Sequence, residues 1–398
     1  MQKKILVSLL ILFPSLFSDD LTDPIKILYL PQGHVHQDLT GKGFLGSTHS
    51  LISNINAGNP ACIADFEGLN IGGSFQFESK IKEAWIADIS HYRNNNLPQS
   101  FGLSYSHKNL YFALASNQSY NTKTDFGKIQ GTMVWDNEQG YIDTEIFHPY
   151  KNETIYKNSA ISAIKLNNIL LESSILSIGF QFNSHFYTVL QSLGKNMLPD
   201  ENGVIQIKLN DVKEKDIENN FSMGFRYSIT DNWLNAKLGI FYESEIEFDK
   251  VHKYHGESYR YYKNIPQKLY AGFSITFPKE ITITNHFCYV YWESIKGKNN
   301  TKDLLEWNGS ITYELNSNLL VSIGSKITHT EYLDYGSDLI FQDKFFAHYF
   351  TAGCIYQYKD FEFDIALADS HLFSEEWRKH TIFKFGLGYH FNLTQYTI

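Results

Sequence analysis

The sequence predicts an all-β chain: an outer-membrane antiparallel β-barrel of about fourteen strands, with an N-terminal segment as a plug in its lumen. Three observations carry this reading. From Leu69 onward the apolar residues recur with a period of two, as in a strand with one apolar face. Many of the alternating segments run to roughly 9–14 residues, whereas strands of soluble domains average about 5–6 and a tilted membrane-crossing strand needs about 9–11. Short polar turns also alternate with long connections, the rhythm of periplasmic turns and extracellular loops.

Composition removes the competing classes. Among 398 residues 43% are hydrophobic, 16% aromatic and 19% charged, so the chain can bury ample apolar surface and is not a disordered one. Beyond the first 20 or so residues no uncharged apolar run reaches the roughly 18 residues of a membrane helix. A net charge of −9 opposes nucleic acid as a partner, because phosphate contacts need a cationic surface.

Residues 1–18 read as a signal peptide. Lys3 and Lys4 form a basic start, Ile5 to Phe17 an apolar core too short to span a bilayer, and Ser18 a small residue before Asp19 and Asp20. Cys62, Cys288 and Cys354 are odd in number and lack metal-like or redox-like spacing, so no disulfide framework is expected. Residues 19–68 lack strong alternation but contain the apolar run Ile25 to Leu30. A barrel of about fourteen strands is too wide for wall side chains alone to fill, so this segment is assigned as a hatch inside it.

The barrel itself is assigned to 69–398. Its expected strands are 69–80, 99–107, 110–119, 155–166, 174–187, 221–229, 234–247, 268–277, 280–293, 306–314, 318–331, 345–358, 361–371 and 381–391. Tight turns fall at Lys108-Asn109, Thr230 to Trp233, Pro278-Lys279, Leu315 to Ser317 and Lys359-Asp360. The connection Asn167–Ser173 belongs to the same set but contains Ile169, Leu170 and Leu171. Long loops are expected at 81–98, 120–154, 189–220, 248–267, 294–305, 332–344 and 372–380. Near the end, Lys384 to Phe391 follows the pattern polar-x-Gly-x-x-aromatic-x-aromatic. It resembles the C-terminal signal of outer-membrane barrels and implies the barrel assembly machinery as a partner during biogenesis.

Several side chains are candidates for function. Arg226, Lys326 and Lys384 lie on the polar phase of their strands and could hold an anionic head group in the lumen through charge-assisted hydrogen bonds. Their alternative role is pairing with wall acids or the plug. Met197 and Leu198 suit an external apolar groove or a loop-packing pair. Tyr289, Tyr291 and Trp292 suit an aromatic belt or a ligand wall. No Gly-x-Ser-x-Gly, His-Glu-x-x-His or phosphate loop is present, and the pairs His34/His36 and His252/His255 read as solvated residues. Neither enzyme activity, metal nor cofactor is expected.

Three places resemble the FadL/TodX family of outer-membrane transporters for long-chain fatty acids and hydrocarbons. Asn59-Pro60-Ala61, shortly before the first strand, is similar to the family's hatch motif. Phe241 to Ile246 resembles its Tyr-x-Ser-Glu-hydrophobic strand. Ile265-Pro266, Gly272 and Tyr291-Trp292-Glu293-Ser294 parallel its Leu-Pro…Gly…Trp-Ser pattern, with Glu293 inserted. The resemblance implies a monomeric, passive channel for a hydrophobic small molecule, embedded in outer-membrane lipid and gated at Asn59-Pro60-Ala61. It also implies a kinked third strand with a lateral exit, but family members carry Gly there and Leu110 to Ala115 has none. A general porin, or a FadL-like barrel serving a secretion system as assembly or cargo-shuttle factor, are the alternatives.

Overall fold

In the computed structural model, strand formation follows the alternation closely. It describes residues 39–44, 46–82, 90–92, 98–125, 129–130, 135–136, 140–141, 146–147, 150–169, 171–194, 209–231, 235–254, 257–278, 280–294, 302–329, 346–372 and 380–391. Residues 1–38, with the expected signal peptide, the Ile25–Leu30 run and His34/His36, fall outside that set, as does His255.

Fourteen antiparallel strands form the wall. They are β1 (Leu69–Glu78), β2 (Ser100–His107), β3 (Leu110–Asp125), β4 (Tyr150–Asn167), β5 (Ser174–Gly194), β6 (Leu209–Thr230) and β7 (Asn235–Glu243), followed by β8 (Lys268–Phe277), β9 (Ile281–Val290), β10 (Leu304–Asn316), β11 (Leu319–His329), β12 (Phe346–Tyr358), β13 (Phe361–Asp369) and β14 (Thr381–Phe391). Each pairs with its sequence neighbour, and β14 pairs with β1 from Phe391↔Leu69 to Ile382↔Glu78, which closes the cylinder. Closure leaves no open edge in lipid, where an unpaired backbone group would cost several kcal/mol.

The side chains show which way the wall faces. Phe75, Phe77, Phe101, Leu103, Phe112, Leu114, Phe180, Phe182, Phe225 and Ile240 are exposed on the outside. Their alternating neighbours Ser74, Gln76, Ser100, Ser104, Asn117, Gln181, Asn183 and Ser222 are buried within. This is the inverse of a soluble core and defines a membrane barrel. At the tight rim Lys108, Glu280 and Lys359 adopt positive φ, and Asn168 does the same in the Asn167–Ser173 connection. That connection closes as a turn: Asn168 N–H donates to Ser174 O at 2.7 Å, while Ile169 and Leu171 point outward.

Several strand boundaries differ from the sequence reading. β3 continues through 120–125 and β4 begins at Tyr150, while β5 reaches Gly194 and β6 starts at Leu209, all within segments expected to be loops. Polar residues on both faces hid the extensions of β3, β4 and β6, because strand above the membrane has no lipid side to keep apolar; that of β5, with Val189, Leu190 and Leu193, is more apolar. At 18, 21 and 22 residues, β4, β5 and β6 exceed what a bilayer needs. The expected strand 234–247 instead breaks at Ser244-Glu245, and the expected loop 248–267 contains an antiparallel hairpin, Ile246–Tyr254 with Glu257–Ile265. Strand β9 ends at Val290 rather than 293, and β13 at Asp369 rather than 371.

Candidate functional site: a filled lumen and the cavity above it

The described part of the N-terminal segment, from Leu39 to Phe66, threads the lumen. Its buried residues Ile52, Ile55, Ile63, Ala64 and Phe66 pack with Tyr111, Ala113 and Ala115 of β3 and Ile161 and Ala163 of β4. Ala113, Ala115 and Ala163 make room for the segment between the larger Tyr111 and Ile161.

Glycines shape the rest of the seat. Gly179 and Gly224 are paired across β5 and β6, and a Cβ on Gly179 would overlap the Pro60–Ala61 backbone while one on Gly224 would overlap Asn59 Oδ1. Gly239 and Gly272, paired across β7 and β8, receive Ser47. On the opposite wall Gly388, Gly72 and Gly102 form a row across β14, β1 and β2 against Ile52 and Ile55.

Asn59-Pro60-Ala61 opens a 3-10 turn, Pro60–Asp65. Pro60 fits its first position, having no N–H to satisfy. Asn59 Oδ1 accepts from Ala61 N at 2.9 Å, and Asn59 Nδ2 donates to Ser47 O and to Phe225 O of β6, both at 2.9 Å. The motif is therefore a buried joint between two parts of the segment and the wall. At the end of this turn Asp65 forms a two-pronged pair with Arg226, at 2.5 and 2.6 Å, and Lys237 stands 3.7 Å away. Burial alone would raise the Asp65 carboxyl, but Arg226 and Lys237 outweigh it and hold it below the usual range. Burial pushes the Cys62 thiol up to about 11, so it is protonated and inert while the segment is in place.

These contacts put Arg226 in the alternative role, pairing with the segment. Arg226, 2% exposed, is taken by Asp65 and is closed to a ligand. Lys384 is fully buried beside Asp364, whose carboxylate accepts from Ser53 of the segment at 2.5 Å. Only Lys326 faces open space, 3.8 Å from Glu306.

That space is a cavity of about 100 Å³ toward the long-loop rim, floored by Ala57 and Gly58. Lys157, Glu243, Lys268, Glu306, Lys326 and His185 supply its polar side, and Phe241, Ile246, Ile265, Tyr270 and Cys288 its apolar one. Lys157 pairs with Glu243 at 3.2 Å, which leaves Lys268 as the cavity lysine without an ion-pair partner among the described residues. Phe241 and Tyr270 stack at 4.1 Å. Above lie two apolar clusters, one of Tyr120, Ile155, Tyr187, Val189, Ile246 and Phe248, the other of Cys288, Val290, Trp292 and Leu304.

The motif residues sort themselves by this cavity. Phe241, Glu243, Ile246 and Ile265, from the second and third motifs, line it together. Trp292 faces inward at 4% exposure, whereas Tyr289 faces outward. Met197 and Leu198 lie outside the described residues. Sequence reading missed Lys157, His185 and Lys268, although each sits on the luminal phase of a strand. The polar phase is crowded with such residues, and only the fold separates those at the cavity from those under the segment.

The third strand carries a bulge without glycine. Pairing of β3 with β4 shifts register between Ile155 and Tyr156, so Ser119 is an extra residue in the ladder. Such a bulge bends its strand and leaves the added residue unpaired.

The fold and its filled lumen define the class: a fourteen-stranded barrel of the bacterial outer membrane with an internal N-terminal segment. No family model and no curated protein sequence matches the chain. Among solved structures it resembles the Ralstonia pickettii toluene transporter TbuX, at TM-score 0.60 and 14% identity over 88% of this chain and 96% of that one. The Pseudomonas putida toluene transporter TodX matches at TM-score 0.56 and 11% identity, over 90% and 97%. A Pseudomonas aeruginosa FadL homologue matches at 0.56 and 11%, over 90% and 99%. The chain has the FadL/TodX-like fold that its three motifs suggested.

Proposed function

We propose that the protein is a passive channel for uptake of hydrophobic small molecules, such as long-chain fatty acids or hydrocarbons, with the segment around Asn59-Pro60-Ala61 as its hatch. The observation that carries this reading is the sequence of environments along the lumen: apolar clusters near the mouth, a half-apolar cavity, then a closed floor at Ala57-Gly58. An acyl chain gains about 0.8 kcal/mol per CH₂ on leaving water, so a water-filled pore would repel it while this path accepts it in steps. An anionic end, where the ligand has one, seats at Lys268 and Lys326 rather than at Arg226 or Lys384. The bulge at Ser119 supports a lateral exit through the wall. The protein acts alone, without enzyme chemistry or cofactor, and depends on the barrel assembly machinery for insertion.

A general porin fits less well, because the described segment fills the lumen. A shuttle for a secretion system shares the fold but needs no ligand path. The test is uptake of labelled palmitate and of toluene into proteoliposomes, with single-channel recording alongside. Saturable uptake with little ion conductance is the expected result. Large steady conductance would identify a porin, and no uptake of either probe would favour the shuttle.

A further inference from the structure

Nothing in the transport reading uses His286, yet it contacts the N-terminal segment directly at Ser47. The imidazole is 2% exposed on the luminal face of β9, in register with Gly272, which leaves room for Ser47 to approach. Ser47 N–H donates to His286 Nδ1 at 3.3 Å, and Ser47 Oγ lies 2.6 Å from the same nitrogen. A backbone N–H can only donate, so Nδ1 must be an unprotonated acceptor and the proton of the neutral ring sits on Nε2. Nε2 has no hydrogen-bond partner among the described residues.

From there the contacts run on into the hatch motif. Ser47 O accepts from Asn59 Nδ2 at 2.9 Å, and Asn59 N–H donates to Gly46 O at 2.7 Å. Asn59 in turn caps Ala61 and holds Phe225 O on the wall. Cys62 Sγ lies 3.6 Å from Ser47 O, at the centre of the joint.

We propose that His286 is a proton-sensitive latch: protonation at Nδ1 turns the acceptor under Ser47 into a donor and releases the Ser47–Asn59 joint. The Ser47 hydroxyl can rotate to accept from Nδ1–H, but the Ser47 N–H then faces another N–H in a buried site. Charged and titratable groups around the joint are His49, Lys42, Cys62 and Asp65 on the segment, Arg226 of β6 and Lys237 of β7. Cys288 of β9 and its cross-strand partner Glu306 of β10 lie one luminal step above, while Lys326 of β11 lies in the same row as His286, two strands away beyond Asn308. Lysine and arginine predominate, so a second cation at His286 is not offset locally. The latched state binds fewer protons than the released one, so latching strengthens as pH rises and is lost as it falls.

This inference rests on the transport reading only for its consequence; its test reads hatch position and needs no transported ligand. Cys62 is a built-in reporter. The intact protein in detergent is labelled with 4,4′-dithiodipyridine, and the Cys62 peptide is quantified by mass spectrometry, normalised to the urea-unfolded chain at the same pH. Labelling should rise about tenfold or more from about pH 7.5 to about pH 4.5, the range in which a histidine charges. His286→Asn places an amide oxygen near Nδ1 and should hold Cys62 protected throughout, while His49→Asn should keep the wild-type response. No pH response in the wild type, or one abolished by His49→Asn and kept in His286→Asn, would overturn the latch.

Discussion

Asp65 and Arg226 join the N-terminal segment to the wall, and the two partners are not equivalent. Arg226 is buried, whereas the Asp65 side chain keeps 37% exposure to the lumen. Removing the acid strands a buried cation, which in a dry interior costs about 3–5 kcal/mol, less where lumen water reaches the site. Asp65→Asn should therefore loosen the segment by about 1–3 kcal/mol, seen as faster proteolysis within 39–66. Asp65→Asn combined with Arg226→Met should be milder than the first change alone. Because the Asp65 carboxyl is held below its ordinary value, its stabilisation is complete above about pH 4 and disappears as pH falls further. The His286 latch opens on the same acid side but at higher pH, so the two steps separate on titration. At the glycine seat, Gly224→Val would collide with Asn59 and should expose Cys62 at neutral pH while the barrel stays folded.

Strand β3 gives the clearest case of an element whose shape the residue pattern does not announce. Bulges are often marked by glycine, and none stands in Leu110–Ala115, yet Ser119 is inserted without one. Deleting Ser119 would join Gln118↔Tyr156 to Tyr120↔Ile155 in an unbroken ladder, leaving every other pair in register. If the bulge opens the exit, that deletion should slow uptake into proteoliposomes about tenfold without lowering the unfolding temperature of the barrel. The long extensions of β4–β6 and the hairpin 246–265 build the mouth in the same spirit. Tyr187 of β5 packs on Phe248 of the hairpin at 5.2 Å, and the hairpin's ends, Ile246 and Ile265, line the cavity.

For the whole molecule, the apolar exterior is the governing fact. A continuous wall of Phe, Leu, Ile and Tyr has to be covered by lipid or detergent. The purified protein should stay monodisperse in detergent and aggregate when it is removed, as read by size-exclusion chromatography with light scattering. The lumen supplies a second test at this scale. Deleting residues 39–66 removes the stopper from a cylinder too wide for wall side chains to fill, so single-channel conductance should rise from near zero to that of an open pore.

Sequence alone determined the barrel, its strand number and the tight rim, because a lipid-facing wall forces a two-residue alternation that no turn or loop shares. It singled out Asn59-Pro60-Ala61, but the contacts of Asn59 with Ser47 and with Phe225 on the wall are visible only in the fold. It did not distinguish Arg226 from Lys326, which look alike on their strands: one is consumed by Asp65 from 161 residues away, the other opens on the cavity. Nor did it show His286 under Ser47, 239 residues apart in the chain. Alternation fixes which face a side chain takes, a local property of the backbone. What it meets there is decided only when the cylinder closes and the N-terminal segment is threaded through it.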